Sequence, residues 1–330
     1  MIFRPATTAD IPRAAGLIVP DPASPLTAED YHSRLGTGEY RPDRTWVAEG
    51  DGGIQALAVW WGRPGDPAPD ALDALFTSGA IPGDQRVAVA GGLLAAAHDA
   101  FSRSFSRTTP AFHLILPPDW RSRRDVIPAL SWRWQAALRA GLTVELERLS
   151  FEWRAGTGTG GTNTGGTSAR LPGMASDRLV FRREPDDEVF AGLFRRTLAG
   201  TLDATTRAMA DAVGGDEQAR ADVAFYRDRM FGDRAWWLVA HTHAGEPVGF
   251  GIPSRNNDVP VVGYIGVLPE HRGHGYIDDI LAETTRVLVA EAHATVIRAD
   301  TDLANRPMAA AFERAGYRNY ARRVVLSAPL

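Results

Sequence analysis

Residues 155–168 read AGTGTGGTNTGGTS, a run of Gly, Thr, Asn and Ser with almost no apolar surface to bury. Such composition cannot nucleate a core and behaves as a flexible linker. It lies near the middle of a 330-residue chain, so each flank is of ordinary domain size. The expected division is a first domain over 1–154, a linker over 155–176 and a second domain over 177–330. The run contains a formal G-x-G-x-x-G at Gly156, Gly158 and Gly161. A dinucleotide fingerprint needs a helix directly after its glycines. Here more Gly and Thr follow, then Leu171-Pro172-Gly173, and the linker reading is preferred.

The two flanks carry matching marks in the same order. Ile2-Phe3-Arg4 leads to a helix over 9–19, and Leu179-Val180-Phe181-Arg182 leads to one over 186–198. Each flank then has a hairpin signal, apolar runs on both sides of a Gly-containing turn. The first runs from Thr45–Ala48 through Asp51-Gly52-Gly53 into Ile54–Trp60; the second runs from Trp236–Ala240 through Ala244-Gly245 into Pro247–Phe250. Both flanks end as strand, helix, glycine, strand: His113–Leu116 to Trp153 around Gly141, and Thr295–Arg298 to Leu326 around Gly316. Glycine just past a helix favours a left-handed C-cap. Several ordered marks point to an internal duplication.

Composition removes several chemistries. There is no cysteine, hence no disulfide, Cys metal site or thiol nucleophile. There is no lysine either: all 36 basic residues are arginine. That excludes a lysine Schiff base and the Walker lysine of a P-loop. A formal charge of −4 argues against nucleic acid as a partner. No stretch of about 20 apolar residues predicts a membrane span, and the N-terminus lacks the apolar core of a signal peptide. The expectation is a cytoplasmic protein with no membrane partner and no resident metal. His241 and His243 share one strand face, but no third ligand is near them in sequence.

The segment richest in chemistry is 263–277, GYIGVLPEHRGHGYI. Residues 260–268 are apolar enough for a buried strand, and Pro269 ends its pairing. From 276 to about 293, Ile277, Ile280, Leu281, Val287 and Leu288 recur at helical spacing, with Asp278, Asp279, Glu283, Arg286 and Glu291 away from them. Strand, glycine turn, helix is a geometry that binds pyrophosphate: glycines admit close approach and the helix N-terminus offers free N–H groups.

Val-x-Pro-x-x-Arg-Gly-x-Gly, so placed, resembles motif A of the GCN5-related N-acetyltransferases (the GNAT superfamily). Downstream, DTDLANRPMAAAFERAGY over 300–317 resembles that superfamily's Asn-led helix ending in Gly-aromatic. The resemblance covers 177–330; the first half fits only by its pattern of elements, and the whole is similar to tandem acetyltransferases with a degenerate N-terminal half. It implies an α/β fold (an α+β mixed sheet) in two tandem acetyltransferase-like domains. It further implies an N-acetyltransferase that moves an acetyl group from acetyl-CoA to an amine, expected to be a small molecule, by direct transfer in a ternary complex. The alternatives are a non-catalytic acyl-CoA-binding or sensor protein, and an interaction module in which both halves have lost the cofactor.

By the same resemblance, Gly266, Val267 and Leu268 would pair with the pantetheine arm. The backbone N–H groups of Arg272, Gly273, His274, Gly275, Tyr276 and Ile277 would hold the pyrophosphate, with the Arg272 charge beside it. Asn305 would help hold the cofactor arm; a helix N-cap explains it equally well. Three positions depart from the family pattern. Ile277 replaces Gly or Ala. Asp278 and Asp279 stand where a basic residue is frequent, and would repel phosphate if turned toward it. Phe312 replaces a frequent tyrosine acid and has no proton to give. The catalytic candidates are Tyr264, Asp258 and Glu270, each with a bland counterpart: strand residue, turn residue and solvated loop residue. The acidic, aromatic segment from Asp203 to Phe231 would lie over the acceptor site and could select a cationic amine. The first half lacks the motif at the equivalent turn, 77–84, and no CoA is expected there.

Overall fold

The computed structural model describes residues 1–105, 109–156 and 177–329. Most of the expected linker, with Gly158 and Gly161 of the formal fingerprint, lies outside the described residues.

The first sequence half is built from β1 (Ile2–Pro5), α1 (Ile11–Ala15), α2 (Ala28–Thr37), β2 (Thr45–Gly50), β3 (Gly53–Trp61), β4 (Ala71–Thr77), α3 (Gly83–Phe105), β5 (Ala111–Leu116), α4 (Val126–Arg139) and β6 (Val144–Arg154). The second half follows with β7 (Val180–Arg183), α5 (Asp187–Thr197), α6 (Ala204–Val213), α7 (Gly215–Ala224), β8 (Leu238–His241), β9 (Pro247–Arg255), β10 (Pro260–Val267), α8 (Tyr276–Glu291), β11 (Val296–Asp302), α9 (Arg306–Arg314) and β12 (Arg318–Ser327). The order is strand, helices, three strands, helix, strand, helix, strand in both halves, which is the duplication expected from the sequence. Gly141 and Gly316 both hold positive φ, 87° and 82°, just past α4 and α9.

The compact units do not follow the sequence halves at their ends. One unit comprises Met1–Glu147 and Ala321–Leu330; the other comprises Arg148–Tyr320. Most of the final strand of each half, from Arg148 in β6 and from Ala321 in β12, is therefore counted with the other half's unit, whereas the sequence reading placed the boundaries at 154 and 177. Apolar alternation identifies a strand but not the sheet that receives it.

In the first unit, β1 to β5 lie in order, and Arg322–Leu326 of β12 runs antiparallel to β5. Trp60, Leu72, Leu93, Phe112, Leu130 and Val324 lie in one core cluster there. In the second unit, Arg148–Arg154 of β6 runs antiparallel to β11, and the order continues through β10, β9, β8 and β7. Its α5 and α7 pack through Phe190, Phe194, Ala219 and Val223 against Trp237, Phe250 and Ile252. On another cluster, Leu281 and Leu288 of α8 meet Ile297 and Phe312. Among the described residues, no helix is long and apolar enough to cross a membrane.

Candidate acyl-CoA site

β10 and β11 are parallel neighbours, but their pairing is registered only at Val261 and Arg298. On its other edge β10 stays paired with β9 as far as Val267 opposite Gly249. Among the described residues, no further pair is registered between the two strands toward the glycine loop. Gly266 and Val267 keep one strand partner, while the Leu268 N–H donates to the Val248 carbonyl at 2.9 Å. An unpaired strand edge is a ready template for another extended amide chain.

The chain leaves β10 through a short 3-10 turn, Pro269–His271, and enters α8 through Gly273 and Gly275, at φ 83° and 73°. Both values lie where a side chain is strained. The His271 N–H is bound to the Leu268 carbonyl, Arg272 N–H to Pro269 and Asp278 N–H to Gly275. The N–H groups of Gly273, His274, Gly275, Tyr276 and Ile277 donate to no described residue. They precede or open a 16-residue helix, whose N-terminus carries partial positive charge.

The Arg272 side chain, expected beside a bound phosphate, is engaged by backbone carbonyls. Its Nε donates to the Val267 carbonyl (3.2 Å), and its terminal nitrogens donate to the carbonyls of Ala199 (2.5 Å) and Thr197 (3.0 Å). The guanidinium ties the end of β10 to the end of α5, because those carbonyls need donors that the local backbone does not supply. Its charge sits at the base of the loop, where its donors are taken up by backbone carbonyls.

The two departures at the start of α8 are neutralised in place. Asp278 accepts from Arg314 at 2.7 Å, and the buried Asp279 accepts from Arg178. Arg178 also donates to the His274 carbonyl at 3.0 Å, so it braces the loop. Its guanidinium lies 5.2 Å from the centre of the Tyr276 ring. No sequence signal pointed to Arg178. Asn305 is the N-cap of α9, accepting weakly from the Met308 N–H at 3.4 Å. Phe312 is buried, 5.1 Å from Phe151 and 5.3 Å from Tyr317 between ring centres. The Tyr317 hydroxyl lies 2.8 Å from Thr285 Oγ1, and burial pushes its pKa up.

The three catalytic candidates end in different places. Asp258 is exposed in the β9–β10 turn, where its N–H donates to Asn256 Oδ1 at 2.9 Å. This is the end of β10 remote from the glycine loop. Glu270 is exposed and ion-paired to Arg196; its own backbone N–H and that guanidinium hold its carboxyl below the usual range. Tyr264 stands on β10 just before the open edge, among Phe194, Phe250 and Tyr226, with its hydroxyl 3.3 Å from Thr197 Oγ1. Burial pushes its pKa up to about 12, so it is a neutral phenol rather than a base near pH 7. His241 ends β8, and His243 lies beyond it, Nε2 2.5 Å from the Asp177 carbonyl.

Beside Tyr264 lies a group that sequence reasoning located only as a segment. Tyr226 donates to the Gly263 carbonyl at 2.9 Å, and burial drives its pKa up. Asp302, buried at the end of β11, accepts from the Ala204 N–H at 2.7 Å and pairs with Arg148 at 2.9 Å; burial raises its pKa. Asp203, the N-cap of α6, also pairs with Arg148, at 3.3 Å. Asp222 accepts from Gln218 Nε2 at 2.8 Å, and no described arginine pairs with it. Desolvation and the nearby Asp203 push its pKa up to about 6, against the pull of Gln218. Gln218, Asp222 and Tyr226 follow one another at four-residue spacing, the one local signal that they share a face.

Residues 203–317 match the Acetyltransferase (GNAT) family. Comparison with curated proteins found no match. Among solved structures, a GCN5-related N-acetyltransferase from Sphaerobacter thermophilus is similar over 98% of this chain and 94% of its own, with 17% identity and a TM-score of 0.55. A tandem GNAT protein from the clavulanic acid biosynthesis pathway, determined without AcCoA, is similar over 99% of this chain and 98% of its own, with 18% identity and a TM-score of 0.51. At such identities the likeness is one of fold, and that fold is the tandem acetyltransferase one.

Proposed function

Because its second half carries a GNAT acetyltransferase domain, we propose that this protein binds acetyl-CoA and transfers the acetyl group to an amine, most simply that of a small molecule, within a ternary complex. The observation that carries the reading is the run of five N–H groups, Gly273 to Ile277, with no acceptor among the described residues, beyond the last registered pair of the parallel strands. A diphosphate supplies the missing acceptors, and an extended amide arm suits the open edge of Gly266 and Val267. Acetyl-CoA would contribute an activated acyl thioester. The protein's part is to hold its phosphates on the loop, align its arm along β10 and present an amine beside Tyr264. The acidic side chains Asp203, Asp222 and Asp302 favour a cationic acceptor. With no cysteine in the chain, an acyl-cysteine intermediate has no place, which supports direct transfer.

A second reading, acyl-CoA binding without transfer, draws on Phe312, which offers no proton to a leaving thiolate where the family often has tyrosine.

Calorimetric titration of the full chain with acetyl-CoA tests the cradle. Micromolar binding is expected, and Gly275→Val should weaken it at least tenfold while leaving the helical circular dichroism intact. No heat at millimolar acetyl-CoA would overturn the proposal. Thiol release across a panel of primary amines supports transfer; binding with no release from any amine favours the second reading.

A further inference from the structure

We infer that Asp222 is the general base that takes a proton from the acceptor amine, and that Gln218 and Tyr226 position it. The inference deepens the proposed acetyl transfer and rests on that reading.

The geometry singles out this carboxylate among those of the acceptor side. Asp203 and Asp302 are held by Arg148 and by N–H groups at the start of α6, so their oxygens already have cationic or helix-end partners. Glu270 is tied to Arg196. Asp222 is half-buried, and the hydrogen bond from Gln218 fixes one of its oxygens. Gln218 is itself only 7% exposed, and its Oε1 has no hydrogen-bond partner. Because Nε2 must face the carboxylate, that carbonyl is left as a buried acceptor, and an ammonium brings the N–H donors it lacks.

The groups around Asp222 set its titration. From its own helix come Gln218 and, just beyond, Tyr226; from the N-cap of α6 comes Asp203; from β10 comes Tyr264. Both phenols are neutral at pH 7, since burial raises them. Arg195 and Arg220 pair instead with Asp216 and Glu188, and Arg148 and Arg272 have the partners described above. Among the described residues, no cation therefore opposes the effect of burial and of Asp203. A carboxylate so raised is a far better proton acceptor at neutral pH than an ordinary aspartate.

In the step, an acceptor ammonium gives one proton to Asp222. The neutral nitrogen forms a C–N bond to the acyl carbon as the C–S bond breaks, and the electron pair leaves with sulfur. The remaining excess proton of the nitrogen passes to that sulfur, and Asp222 returns its proton to water. The Tyr226 hydroxyl, bound to the Gly263 carbonyl, holds the end of α7 against β10 so that Asp222 stays beside Tyr264.

The test uses the full chain, acetyl-CoA and whichever primary amine gives thiol release. The wild-type kcat/KM should rise with pH through about 6. Asp222→Asn should lower it by about 10²–10³-fold and remove that limb while leaving acetyl-CoA affinity within twofold. Asp222→Glu should keep part of the rate with a displaced limb, a readout that a merely structural role would not move. Where Asp222→Asn does not fold, the Glu variant decides: an undisplaced limb overturns the inference. Wild-type transfer with an undiminished Asn variant overturns this role and leaves the proposed function standing. Failure of the wild type to bind acetyl-CoA overturns the proposed function, and this inference with it.

Discussion

Arg178 and Asp279 join the segment before β7 to the first turn of α8, and through the same guanidinium to the His274 carbonyl of the glycine loop. Asp279 is 8% exposed at its side chain and Arg178 46%. Truncating the arginine leaves a buried carboxylate unpaired and the loop unbraced. A pair this open to water is worth less than a fully buried one, so Arg178→Ala should cost about 1–2 kcal/mol rather than 3–5. Acetyl-CoA affinity should fall roughly tenfold, which corresponds to about 1.4 kcal/mol. Thermal unfolding and calorimetry on the same samples check both; unchanged affinity would mean that the loop holds its shape without Arg178.

The loop itself was legible in the sequence because everything that makes it is local. Apolar run, proline stop, two glycines and helical periodicity lie within 260–293, and each has a direct backbone meaning. Its electrostatics were not legible. Asp278 and Asp279 read as repulsive to phosphate, but their partners Arg314 and Arg178 lie 36 and 101 residues away. The side-chain partners of Arg272 were hidden for a related reason: its acceptors, Thr197 and Ala199, belong to the end of α5. The fate of β6 and β12 was hidden because strand periodicity carries no address. Asp222 could have been found from Gln218, Asp222 and Tyr226 at four-residue spacing, yet its unusual setting depends on β10 and the start of α6.

Placing at position 312 the tyrosine frequent in the resembled motif should not raise the rate. Phe312 is 2% exposed and packed between Phe151 and Tyr317. A hydroxyl added there must find a partner in an aromatic cluster or remain unsatisfied, at a cost of about 1–3 kcal/mol. Phe312→Tyr is expected to lower Tm by several degrees and to change kcat less than twofold with any amine that gives turnover. A gain of tenfold or more, with Tm unchanged, would show that the ring reaches the leaving sulfur and that proton donation limits the rate.

Acid sensitivity should arise in the first unit, at Asp10. Its carboxylate is buried and accepts from Arg4 at 2.7 and 3.1 Å, from the Thr7 N–H at 2.9 Å, from the Thr7 hydroxyl at 2.7 Å and from Arg13 at 2.5 Å. Arg4 above all, then the Thr7 N–H, holds its pKa far below the ordinary value. A depressed folded-state pKa means that the unfolded chain binds the proton first. The stabilisation is therefore complete above about pH 4, the unfolded value, and is lost progressively as pH falls below it. Asp10→Asn should cost about 1.5–3 kcal/mol at pH 7, the range for hydrogen bonds to charged groups. The same variant should lose less additional stability than the wild type between pH 4 and pH 2. Urea unfolding followed by tryptophan fluorescence at pH 7, 4 and 2 measures both quantities. Parallel pH dependences for the two proteins would show that the Arg4–Asp10 cluster does not set the acid limit.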